Sequence, residues 1–141
     1  MWVEEQVATR LARQEILTRP DPPMFTAVLD ERVLHQPVGG AEVMREQLRH
    51  IATLCAEQPR TRFQVVPTSV GAYAGLNGPF VIVTHPGGDD VAYLDDQLDG
   101  RFVARVGDVK TVQQLWDSVR AEALSHQQSI EMIRKVAESW T

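Results

Sequence analysis

The segment AEVMREQLRHIATLC, residues 41–55, repeats apolar side chains at helical spacing, and the apolar runs on either side of it, MFTAVLD and FQVVP, have the length of strands. Strand, helix and strand in that order admit few arrangements. The connection predicts a right-handed parallel crossover. Within the helix, Val43, Met44, Leu48, Ile51, Leu54 and Cys55 share one face, with Glu42, Arg45, Glu46 and Arg49 opposite. In the first run Phe25, Ala27 and Leu29 lie on one side and Met24 and Val28 on the other, which predicts a central strand buried on both faces. The joint between strand and helix, VLDERVLHQPVGG, ends in Gly39 and Gly40, residues that let the backbone turn into the helix.

The flanking sequence completes a mixed α/β fold. A surface helix is predicted from Trp2 to about Leu17, with Val3, Val7 and Leu11 four apart, and RPDPP stops it. After FQVVP, the runs PFVIVTH, VAYLDD and GRFVARV are separated by PGGDD and QLDG, whose Gly-Asp and Asp-Gly pairs favour tight turns. A βαβ unit therefore continues into an antiparallel meander within one mixed sheet of about five strands. Two C-terminal helices pack on that sheet. Asp108 is placed to cap the first, which carries Val109, Val112, Leu115, Trp116, Val119 and Ala123. Ser125 and Gln128 have capping-box spacing and open the second, with Ile130, Ile133, Val136, Ala137 and Trp140 on its apolar side. No linker divides residues 1–141, so a single domain is expected.

Composition excludes several function classes. A net charge of -5 offers no basic footprint for a phosphate backbone, so direct nucleic-acid binding is not expected. The one cysteine, Cys55, rules out an intrachain disulfide and fits a reducing, cytoplasmic setting. MWVEEQVATRL is too charged for a signal peptide, and no apolar run is long enough to span a membrane. Histidines three to five apart, a CxxC pair and an acidic calcium loop are all missing from the sequence, so no metal and no cofactor is expected.

Asp30 and Glu31 end the first strand, where crevices form in open α/β sheets. His35 follows Glu31 by four residues, so a helical turn would make them neighbours and open acid/base chemistry to the pair. The competing reading is structural: Glu31 holds backbone amides in the turn, and His35 is solvated. Tyr73 sits between glycines in VGAYAGLNGPF, a loop with neither a dinucleotide nor a phosphate-loop pattern, where an aromatic can line a pocket. His85 opens a hairpin turn, and Asp95 and Asp96 form a second carboxylate pair at a strand end. His50 and His126 are expected in solvent on or beside helices, Cys55 as a small core residue, and Trp116 and Trp140 as core or interface residues.

RLARQEIL, AVLDERVLHQPVGGAEVMREQL, FQVVP, GAYAGLNGPFVIV and AEALSHQQSIEMIRKVA resemble, in order, the C-terminal domain of actinobacterial XRE-type helix-turn-helix regulators. These are antitoxin-like regulators often encoded beside a small partner protein, and the domain has no known function. The resemblance implies a sensory or partner-binding module whose output is delivered by a separate DNA-binding domain. Glu31, Gly39, Gly40, Gln47, Pro67, Gly75 and Phe80 match the pattern, and Glu31 and Gln47 are the matching side chains suited to a polar ligand. His35 stands where the pattern has arginine, and the chain begins almost on the arginine-glutamine helix, without the helix-turn-helix.

Two functions follow. The first is a non-catalytic module that binds a small molecule or a small partner protein through Glu31, His35, Gln47, Tyr73 and His85, as a homo-oligomer. The alternative is a stand-alone relative recruited to specialised metabolism as a cofactor-independent cyclase or isomerase, with Glu31 and His35 as acid and base.

Overall fold

The computed structural model describes residues 2–95, 98 and 100–141. Its elements run α1 (Trp2–Arg13), β1 (Phe25–Asp30), α2 (Ala41–Glu57), β2 (Thr61–Val66), β3 (Phe80–Val83), β4 (Val91–Asp95), β5 (Gly100–Val103), α3 (Val106–Ala121) and α4 (His126–Ser139). Short 3-10 turns occupy Gln14–Leu17, Glu31–His35, Thr68–Val70 and Ala74–Asn77. The fold is mixed α/β, as the periodicities predict. Asp96, Gln97 and Asp99, which include half of the expected carboxylate pair and half of the QLDG turn, lie outside the described residues.

Two compact units form, Met1–Val65 with Leu124–Thr141, and Val66–Ala123. The crossover and the meander are both present, but in two sheets instead of one: β1 and β2 make a parallel pair, and β3, β4 and β5 an antiparallel sheet. β1 is thus an edge strand among the described residues, not the central one expected, and none of its residues is fully buried. Its apolar residues on both sides misled because they show that both faces are apolar, not that neighbours cover both edges.

In the first unit, α2 and α4 pack side by side over Val65 of β2. Leu34, Leu48, Ile51, Ala52, Cys55, Ile130, Ile133, Val136 and Ala137 build the core with it. Val43, expected on the buried face of α2, is half exposed. It lies instead against Gly39, where an added Cβ would sit 2.9 Å from the Val43 Cγ1. Gly39 and Gly40 have φ of 79° and 90°, so the turn into α2 uses backbone that side chains disfavour.

The start of α4 also closes β2. Ser125 and Gln128 form the predicted capping box. One turn on, the buried Ser129 Oγ accepts the Val65 N–H at 2.9 Å, while the Leu124 N–H donates to the Val65 carbonyl at 2.9 Å. At the other end of the helix the Trp140 indole donates to the Leu34 carbonyl at 2.9 Å, and its ring packs on the core. α1, by contrast, is exposed along its whole length, Trp2, Val3, Val7 and Leu11 included.

In the second unit, alternation sorts the meander into two faces. Phe80, Ile82, Ala92, Leu94 and Val103 meet Val109 and Val112 of α3, and Phe80 meets Trp116 edge-on at 6.4 Å. On the other face Val81, Tyr93 and Phe102 stand opposite one another across the three strands, all exposed. Asp108 does not cap α3, which begins two residues earlier behind Arg105. The carboxylate falls in the first turn, where it faces the positive end of the helix dipole.

Trp140 therefore works through both packing and a hydrogen bond. Trp140→Ala is expected to lower the unfolding free energy by about 3 kcal/mol. Trp140→Phe, which keeps most of the ring contact and orphans the Leu34 carbonyl, is expected to cost about 1 kcal/mol. Denaturant titration of both variants checks the pair, and equal losses would mean that the hydrogen bond contributes nothing.

Candidate functional site

The Glu31–His35 neighbourhood comes out as the four-residue spacing predicts. The chain leaves β1 into the 3-10 turn, and Glu31 Oε2 lies 3.2 Å from His35 Nε2. The turn is capped by Asp30, not Glu31: Asp30 Oδ1 accepts the Arg32 N–H at 2.9 Å, and both carboxylate oxygens bind the Arg32 guanidinium. Leu34, 1% exposed, pins the same turn into the core. The joint is thus fixed from inside, with the His35 side chain half exposed on its outer surface.

The remaining sequence candidates scatter. Gln47 is exposed on the polar side of α2. Tyr73 and His85 belong to the second unit: the Tyr73 ring lies against Gly75, and His85 is exposed in a tight turn closed by the Gly88 N–H on its carbonyl.

A second constellation lies in the first unit, where α2 and α4 diverge and leave an open groove of about 260 Å³. Ala52, Cys55 and Ala56 of α2 form one wall. α4 supplies Ile130 and four polar side chains, His126, Gln127, Glu131 and Arg134. His126, expected in solvent, is half-buried: its Nδ1 lies 3.1 Å from both the N and the O of Phe63, on the outer edge of β2. In one tautomer it accepts the N–H and in the other it donates to the carbonyl, and either leaves Nε2 free. Burial pushes the Cys55 thiol up from its ordinary range, against a smaller opposing pull from a backbone hydrogen bond at Phe63. The small side chains of α2 leave room between the two helices at this level, where an apolar floor meets a polar rim.

Periodicity did hold a signal for this groove. His126, Ile130 and Arg134 are four apart and form one stripe on α4, as Ala52 and Ala56 do on α2. Among the described residues, no group of three or more His, Cys, Asp or Glu side chains could hold a metal ion.

A family described as "Domain of unknown function (DUF5753)" matches residues 2–135. The chain belongs to that family. The DUF5753 match runs through both compact units and takes in every groove residue as well as Glu31 and His35, while Trp140 falls beyond it. No curated protein and no solved structure matches the chain. Among the described residues, no helix is long and apolar enough to cross a membrane.

Two measurements test these sites. Glu31→Gln replaces one partner of a hydrogen-bonded carboxylate–imidazole pair whose histidine is half in water, so a stability loss below about 1 kcal/mol is expected in a melting curve. A larger loss would make Glu31 a structural residue. For Cys55, the folded chain holds the neutral thiol more firmly than the unfolded chain does. Its contribution to stability is complete below the unfolded pKa and declines as pH rises from there toward the raised folded value. Unfolding free energies are therefore expected to fall more steeply with pH above about 8.5 in the native protein than in Cys55→Ala.

Proposed function

We propose that this DUF5753 chain is a non-catalytic binding module whose ligand is a small molecule seated between α2 and α4. The groove carries this reading: its apolar walls and polar rim have the composition of small-molecule sites. Its kinship adds that the module is of the sensory type found in actinobacterial XRE-type regulators, a reading supported by the run of matching segments from RLARQEIL to AEALSHQQSIEMIRKVA. The acidic balance of the chain supports a division of labour in which DNA contact belongs to another domain.

The acid/base reading has less behind it. Glu31 and His35 are within hydrogen-bond reach, but the imidazole is half exposed, and water competes with any proton transfer there. Both readings meet one experiment. A mixture of free amino acids, short carboxylic acids, sugars and nucleosides is added to ¹⁵N-labelled protein, and amide shifts and the composition of the mixture are followed together. Shifts grouped on α2 and α4 around Cys55, lost in Ala56→Trp, are the expected result. Conversion of any component that Glu31→Gln abolishes would replace the binding module by an enzyme, and shifts elsewhere, or none, would remove the groove.

A further inference from the structure

Charge on the α4 wall narrows what the groove can hold. Glu131 and Arg134 are three residues apart on one helix, a separation at which opposite charges can pair. Among the described residues neither side chain has a hydrogen bond or ion pair, although Arg49 and Glu138 are joined between the same two helices at 2.8 Å. Gln127 is likewise without a partner. Among the described residues, a cation and an anion without protein partners thus line the same groove, beside an imidazole held in place through its Nδ1 by Phe63. The opposite wall is Ala52, Ala56 and Cys55, and Ile130 lies between the charged residues and His126 in sequence. At about 260 Å³ the space falls below the roughly 300–1,000 Å³ of pockets that take drug-sized ligands.

We propose that the groove between α2 and α4 binds a small zwitterion with an apolar body, the chemistry of a free aliphatic α-amino acid. Arg134 takes the carboxylate and Glu131 the ammonium. The free Nε2 of His126 and the Gln127 amide complete the polar contacts, and the aliphatic chain lies on Ala52, Ala56 and Ile130. A simple carboxylate would leave Glu131 facing a like charge or water alone, and a simple amine would do the same for Arg134. Only a ligand with both charges satisfies both rim residues. This inference rests on the small-molecule reading of the same groove.

The test uses three probes of one shape: leucine, 4-methylpentanoate and 3-methylbutylamine. Binding is read twice, from amide shifts and from protection of Cys55, the one thiol in the chain, against a small alkylating reagent. Leucine is expected to bind best, with each one-charge analogue about tenfold to a hundredfold weaker, the range of one charge-assisted hydrogen bond. Arg134→Gln should remove the advantage of leucine over the amine, and Glu131→Gln its advantage over the carboxylate. Both substitutions are at exposed helix positions, so folding is retained. Analogues that bind in the groove as tightly as leucine would overturn the zwitterion while sparing the groove as a small-molecule site. No binding by any of the three also overturns it, and the mixture experiment then decides separately whether the groove has another occupant. Leucine binding unchanged in both variants would place the amino acid elsewhere and sink the proposal.

Discussion

The outer edge of β2 is the constraint on which the first unit depends. In a strand, alternate residues present their N–H and C=O groups to the same edge, and at Phe63 and Val65 that edge faces no other strand. Leaving such groups dry and unpaired would cost on the order of 1–3 kcal/mol each. The start of α4 supplies the partners instead: His126 at Phe63, Ser129 at the Val65 N–H and Leu124 at the Val65 carbonyl. Gln64 adds a side-chain bond to the Leu124 carbonyl at 3.0 Å. A helix terminus thus takes the place of a third strand, which is why the parallel sheet stops at two.

That substitution sets the position of everything packed above it. With its first turn bonded to β2, α4 has neither rotational nor axial freedom, so Ile130 and Ile133 must face α2 and the core. Trp140 then reaches Leu34 at the far end, tying the joint after β1 to the same helix. The groove is a consequence: α4 is held by the strand at His126, and α2 offers only alanines and a cysteine at that height. A larger residue at the exposed Ala56 would fill the space without disturbing the bonds that place the helix, whereas Ala52 is part of the packed core.

What could be read in the sequence was what depends on neighbours a few residues apart. Helical spacing located α2 and α4, three-residue spacing exposed the Ser125–Gln128 box, and four-residue spacing paired Glu31 with His35. What escaped is separated by sixty residues or more. Nothing local marks His126 as the partner of Phe63, 63 positions away, or Ser129 as the partner of Val65, 64 positions away. The same blindness made β1 look central, because strand order depends on what lies beside a strand and not on its own side chains. Of the candidate site, the carboxylate–imidazole neighbourhood was legible. Of the groove, only the stripe His126, Ile130 and Arg134 was marked by spacing, since Glu131 and Arg134 look like any other charges on the wet side of a helix until α2 is laid beside them.

Cys55 and His126 line opposite walls of one groove, and a thiol and an imidazole in one groove invite comparison with a nucleophile and its base. The surroundings favour a different role. An activated cysteine needs a thiolate, and burial here holds the proton on sulfur instead. The Nδ1 of that imidazole is committed to the Phe63 backbone. Both side chains are therefore engaged in closing β2 and filling the core, and the chemistry left to the groove belongs to the rim. There, among the described residues, the side chains of Gln127, Glu131 and Arg134 have no protein partner and stand open to water or to a bound molecule.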